Sequence, residues 1–182
     1  MTPARPSEEL SDGAVVVRRW RVDDAPDLHR VLVANVEHLR PWMPFIAAEP
    51  LAVGDRADLL EGWELKWDQG VEFAYAIWRP DGTLVGSCGL HPRVAPDGLE
   101  IGYWLSADAT GRGLATAATR LLVGAAFSLD HVTFVEIRHD RDNHASGRVA
   151  ERSGFTRVGE EAREVSAPGE SGVTVVWRLT RP

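Results

Sequence analysis

After Leu105 the chain leaves a run of large apolar residues for Ser106-Ala107-Asp108-Ala109-Thr110-Gly111-Arg112-Gly113-Leu114-Ala115-Thr116, then enters an alanine-rich stretch. Gly111 and Gly113 permit a sharp turn and a close approach of backbone to a ligand. The helix expected next begins with amides that no preceding carbonyl satisfies, those of Leu114, Ala115 and Thr116, and its dipole favours an anion there. Arg112 adds a full positive charge to the same loop. These features together ask for a phosphate or pyrophosphate. The plainer reading of the two glycines is a strand-to-helix connection with no ligand, and spacing alone does not choose. Two nucleotide motifs fit poorly. The Gly-x-x-x-x-Gly-Lys-Ser/Thr loop is absent, and the dinucleotide fingerprint starting at Gly111 and Gly113 has Thr116 in its third glycine position.

Glu100 sits ahead of this loop, in Leu99-Glu100-Ile101-Gly102-Tyr103-Trp104-Leu105. A carboxylate in such company is partly desolvated, which suits a general base working near neutrality. A structural pairing with an arginine is the alternative. Asn143 stands where a helix N-cap is expected, and Ser146 reads as an ordinary first-turn serine. Trp42, Phe45 and Phe73 could line an acceptor pocket and would serve as well in the core. Cys88, the single cysteine, lies in Gly86-Ser87-Cys88-Gly89 and reads as a buried structural thiol. His139 and His144 have a metal-like spacing, but nothing completes a ligand set. His91 and His131 are scattered, and no metal is expected.

These residues need elements to position them. Val15 to Trp20 reads as a strand. Asp23 and Asp24 open a helix with Leu28, Val31, Leu32 and Val36 on one face. Pro41-Trp42-Met43-Pro44-Phe45 breaks it, and a second helix covers Gly54 to Trp67. Phe73–Trp78 and Thr83–Leu90 form a hairpin around Pro80-Asp81-Gly82. Pro96-Asp97-Gly98 turns the chain into Leu99–Leu105. A helix over Leu114–Leu129, a strand over Val132–Ile137, a helix over Asn143–Ser153 and two strands, from Phe155 and over Val173–Leu179, complete the order. Hairpins first and crossover helices later predict an α/β (α+β) domain, one mixed sheet with helices on both faces.

The 182 residues suit one domain. Lysine and arginine total 20 against 27 aspartates and glutamates, a net charge of −7, which argues against nucleic-acid binding. One cysteine excludes an intramolecular disulfide and fits a reducing cytoplasm. Residues 1–12 read as a flexible polar tail with no apolar core of a signal peptide. No apolar run is long enough to span a membrane.

Thr110-Gly111-Arg112-Gly113-Leu114-Ala115 resembles the Gln/Arg-x-x-Gly-x-Gly/Ala acyl-CoA loop of the GNAT N-acetyltransferases. Glu100–Leu105 ahead of it, Asn143-His144-Ala145-Ser146 through Gly154-Phe155 behind it, and Arg40-Pro41-Trp42-Met43 resemble the RimJ/RimL-type ribosomal-protein N-terminal acetyltransferases of that family. The resemblance runs from Val15 to Leu179. It implies a single domain over residues 13–182, with a mostly antiparallel central sheet and a splayed strand pair. It implies acetyl-CoA as co-substrate, its pyrophosphate on the loop that runs from Ser106 to Thr116. Backbone near Trp104 and Leu105 would pair with pantetheine and polarise the thioester carbonyl, and Asn143 and Ser146 would also touch the cofactor. Glu100, directly or through water, would take the amine proton, and Ser146 would protonate the departing thiolate. The acceptor would be a primary amine, a protein N-terminus or a small molecule such as an antibiotic. A non-catalytic acyl-CoA-binding module is the alternative from another class, and a homodimer is one assembly the resemblance allows. Two departures stand out. Thr110 replaces the usual Gln or Arg, and Ala150 stands where many relatives carry a tyrosine acid.

Overall fold

The computed structural model describes residues 4–182. Eight strands form one sheet in the order β1-β2-β3-β4-β5-β6-β8-β7. They are β1 (Glu9–Ser11), β2 (Val16–Arg19), β3 (Phe73–Trp78), β4 (Leu84–Ala95), β5 (Gly98–Leu105), β6 (Phe134–Asp140), β7 (Thr156–Ala162) and β8 (Val173–Thr180). The helices are α1 (Ala25–Ala34), α2 (Val36–Leu39), α3 (Val53–Asp68), α4 (Leu114–Phe127) and α5 (His144–Arg152). Every strand pair is antiparallel except β5 and β6.

The turns form where the sequence directs them. At Pro80-Asp81-Gly82, Gly82 takes a φ of 84° and the Asp81 carboxylate accepts from the Thr83 amide at 2.9 Å. Strand alternation then sorts residues to two faces. Leu99, Ile101 and Leu105 join Val135, Ile137 and the α4 residues Ala118, Leu122 and Ala125 in the larger core. Trp20, Leu28, Leu32, Leu60, Ala74, Ala76 and Leu84 form a second core on the opposite side. Helices therefore cover both faces.

The tail expectation is corrected for its described part. Leu10 pairs with Val17, the Arg19 amide donates to Glu8 O at 2.7 Å, and the Tyr75 hydroxyl donates to Ser7 O at 2.9 Å. The edge of β2 offers unpaired backbone groups, and this segment satisfies them. Residues 1–3 lie outside the described part. Two strands also outrun their expected ends: β4 continues to Ala95 and β6 to Asp140. The added lengths carry His91, Arg93, Arg138 and His139.

One feature of the sheet shapes the site. β5 and β6 pair only over Gly98–Glu100 against Phe134–Glu136. Beyond Glu100 they part, although β5 remains paired with β4 as far as Leu105 and β6 with β8 as far as Asp140. Backbone groups along the inner edges of both strands are left without a partner strand.

Candidate active site

The Ser106 amide donates to Val85 O at 2.8 Å, across to β4. In an antiparallel ladder successive residues turn their backbone groups to alternate sides. Trp104 thus directs its amide to β4, whereas Tyr103 and Leu105 direct theirs into the opening toward β6. The amide expected near Trp104 or Leu105 is thus matched in direction by those of Tyr103 and Leu105, on either side of a Trp104 amide turned to β4.

The loop after β5 is held rigidly. The Ser106 hydroxyl donates to Asp108 at 2.6 Å, Arg79 pairs with the same carboxylate at 2.8 Å, and the Ala107 amide donates to Asn35 Oδ1 at 2.8 Å. These donors pull the Asp108 carboxyl below its ordinary range, Ser106 most strongly. Thr110 turns its hydroxyl onto Ala107 O at 2.8 Å. Gly111 and Gly113 adopt φ of 72° and 79°, the left-handed region that favours glycine. Gly113 caps α4 without any side-chain hydrogen bond. The amides of Leu114, Ala115 and Thr116 accordingly point outward with no acceptor among the described residues, next to an exposed Arg112. These residues fit an anionic cofactor head.

Asn143 caps α5, its Oδ1 accepting from the Ser146 amide at 3.2 Å. That use leaves the carboxamide Nδ2 free as a donor. Ser146 Oγ lies 2.8 Å from the Tyr103 hydroxyl, so the serine and a β5 side chain meet across the opening. Burial pushes the Tyr103 phenol up to about 12, the hydrogen bond to Ser146 opposing it. Sequence reasoning did not single out Tyr103.

Two carboxylates flank the point of divergence, because Glu100 and Glu136 are register partners. Glu136 is 0% exposed and is claimed by Arg138 Nε at 2.8 Å and Arg178 Nε at 2.9 Å. Glu100 is 17% exposed, and among the described residues its one ionic neighbour is the exposed Arg93 at 3.7 Å. Glu100 is therefore the carboxylate open to an incoming group. It borders a cavity of about 220 Å³ shared with Arg93, Arg138, Glu161, Arg163 and Thr174. A larger cavity of about 540 Å³ lies against Val71, Pro92, Pro96 and His131 and does not include Glu100.

Of the three aromatics considered for an acceptor pocket, Phe73 also borders that larger cavity, but it is 2% exposed and packs edge-on against Trp67 at 5.2 Å. Its place is the core. Trp42 is half-buried and Phe45 is exposed, both in the connection after α2. The Gly169 amide donates to Pro41 O at 2.9 Å, so the loop between β7 and β8 closes against that connection. No sequence signal announces this contact. Cys88 is buried, which raises its thiol pKa. His139 is no ligand candidate: its Nδ1 meets Asp140 O at 2.7 Å and its Nε2 accepts from Trp177 Nε1 at 2.9 Å. His91, scattered in sequence, is paired with Glu72.

A splayed parallel pair, a glycine-capped helix N-terminus beside it and an open carboxylate at the divergence agree with the family comparison. Residues 14–156 match the model of the acetyltransferase (GNAT) domain. The chain belongs to the GNAT acetyltransferase family. It is 29% identical over 149 residues to YdaF of Bacillus subtilis (strain 168), which carries a ribosomal N-acetyltransferase name, with 80% of each chain covered. The structure of RimL, a ribosomal L7/L12 α-N-protein acetyltransferase in complex with coenzyme A, superimposes with a TM-score of 0.86 at 19% identity, covering 95% of this chain and 98% of the other. The microcin C7 self-immunity acetyltransferase MccE, in complex with acetyl-CoA and AMP, gives 0.85 at 19% identity, covering 93% and 94%. The protein is an acetyl-CoA-dependent N-acetyltransferase. Among the described residues no helix is long and apolar enough to cross a membrane.

Proposed function

We propose that this GNAT enzyme acetylates the N-terminal α-amine of a ribosomal protein in the cytoplasm. The observation that carries the reading is the opening between β5 and β6, with the α4 N-terminus at its mouth and Glu100 at its apex. Pyrophosphate meets the amides of Leu114–Thr116 and the Arg112 guanidinium. Pantetheine runs along the free backbone of Tyr103 and Leu105, with Asn143 Nδ2 as a further donor. A backbone amide of this edge polarises the thioester carbonyl. The acceptor amine attacks that carbon, a C–N bond forms, and the C–S bond then breaks. Glu100 takes a proton from the nitrogen, and Ser146 gives one to sulfur. The ribosomal acceptor rests on the name of the YdaF relative and on the motifs shared with the RimJ/RimL type.

Thiol release from acetyl-CoA with a panel of amines tests this reading. Serine- and alanine-initiated peptides should be acetylated at the α-amine, located by mass spectrometry. Turnover of aminated nucleotides or antibiotics, with peptides inert, would overturn this reading in favour of a small-molecule acceptor.

A further inference from the structure

An α-amine has an ordinary pKa near 8 and arrives at neutral pH chiefly as an ammonium ion. Its acetylation must shed two protons, one to expose the lone pair and one from the nitrogen after the C–N bond forms. The departing sulfur takes back one, so one is released to solvent. Glu100 accounts for one acceptor, and a second acceptor at the site would let the enzyme use the ammonium form as well as the minor neutral one.

We propose that His91, held by Glu72, is this second acceptor and converts the arriving ammonium into the attacking amine. The proposal rests on the acceptor approaching over the sheet face that carries Glu100. His91 and Glu100 are register partners on β4 and β5 and therefore share that face. Gly89 and Gly102 are also partners, beside them on the same face. A Cβ built on either would lie 3.0 Å or 3.2 Å from His91 Nε2, so the imidazole rests across this pair of glycines. His91 Nδ1 bonds the Glu72 carboxylate. Nε2 has no hydrogen-bond partner among the described residues.

Four charged groups, Glu72 included, lie around the Glu72–His91 pair among the described residues. Lys66 from α3 holds the second Glu72 oxygen at 2.6 Å, and Arg93 on β4 lies 3.9 Å from Glu72. Glu100 on β5 completes the set. Glu72 is held down to about 2, chiefly by its bond to His91, with Lys66 assisting. It is thus an anion throughout the working range and fixes the tautomer with hydrogen on Nδ1 and the lone pair on Nε2. An imidazole so oriented can accept a proton while the carboxylate stabilises the cation formed. The step balances. The ammonium N–H bond breaks, its proton moves to Nε2, and the freed pair attacks the thioester carbon. The imidazolium later releases that proton to water.

The test uses two acceptors, a serine-initiated hexapeptide and the same peptide with an aminooxy group in place of its α-amine, which arrives uncharged at neutral pH. His91→Gln keeps a donor for Glu72 and removes the basic nitrogen. With the ordinary peptide, turnover at neutral pH should fall ~10–100-fold and recover as the pH rises past the peptide's own pKa. With the aminooxy peptide His91→Gln should match the unmutated enzyme. Glu72→Gln should show a milder form of the same selective loss. Glu100→Gln should lose turnover with both acceptors. Calorimetric binding of acetyl-CoA, unchanged in each variant, reports that it is folded. Equal losses of His91→Gln with both acceptors would make the residue merely structural and overturn the proposal. Full activity of His91→Gln with both, while Glu100→Gln is impaired, would overturn the proposal and leave the site reading standing. Full activity of both variants would overturn the site reading as well, as would an unmutated enzyme that turns over neither peptide.

Discussion

The Tyr103 hydroxyl and Ser146 Oγ, from β5 and α5, stand 2.8 Å apart across the opening where the two strands diverge. A phenol raised to about 12 stays protonated at working pH and is a donor. If it donates to Ser146 Oγ, the serine proton is free to point elsewhere, and the thiolate is the group in need of one. Ala150 carries no proton to give, and in the proposed mechanism this pair takes that chemical role. Tyr103→Phe should lower turnover ~10-fold with acetyl-CoA affinity retained, less than the ~10²–10⁴-fold typical for loss of a positioned acid itself, because Ser146 keeps its proton. Ser146→Ala should act in the same direction, and both losses should shrink with an acyl donor whose thiol is more acidic. Steady-state kinetics with two acyl donors checks this.

Gly113 has open space where a Cβ would go, so its requirement is conformational and electrostatic. Gly113→Ala should cost about 1–2 kcal/mol for the left-handed backbone. Gly113→Asp adds an anion among the unpartnered amides and should abolish acetyl-CoA binding in calorimetry while the fold survives. In the unmutated protein, affinity should fall as salt rises if, as proposed, phosphate meets Arg112.

Asn143 caps α5, and the proposed site gives it a second, separable role as a donor to acetyl-CoA. Asn143→Asp keeps the acceptor for the Ser146 amide and loses the Nδ2 donor, whereas Asn143→Ala loses both. Stability should fall by about 1 kcal/mol in the alanine variant only. The acetyl-CoA KM should rise in both, and melting curves beside kinetics separate the two effects.

Much of this arrangement was legible in the chain. The loop glycines, the Asn143 cap and the strand carrying Glu100 follow from local rules that need no tertiary knowledge. What escaped are contacts between residues far apart in sequence. Glu72 and His91 meet only because β3 and β4 pair. Tyr103 looks like one more core aromatic until α5 sets Ser146 against it. The register also decides which amides enter the opening, those of Tyr103 and Leu105 on either side of Trp104. Phe73 shows the converse, an aromatic offered for a pocket whose place on β3 faces Trp67. The short β1 was invisible because a three-residue edge strand has no periodicity to read.

Acid should destabilise the fold in two windows. Burial lowers the His139 pKa, so the unfolded chain binds a proton more readily than the native one. Its contribution is complete above the unfolded value of about 6.5 and is lost as pH falls below it. Glu72, lowered from 4.5 to about 2, contributes above 4.5 and loses that contribution as pH falls toward 2. Melting temperatures across pH should decline in both windows. Trp177→Phe frees Nε2 and should flatten the first, and Glu72→Gln should flatten the second.

A crystal structure of the protein with acetyl-CoA tests the central claim most directly. The account predicts pyrophosphate oxygens within hydrogen-bond distance of the Leu114, Ala115 and Thr116 amides. It predicts pantetheine along Tyr103 and Leu105 in the opening toward β6, and the thioester between Ser146 and Glu100. Acetyl-CoA bound elsewhere, for instance in the larger cavity by Pro96 and His131, with the α4 N-terminus bare and β5 and β6 unoccupied, would contradict it.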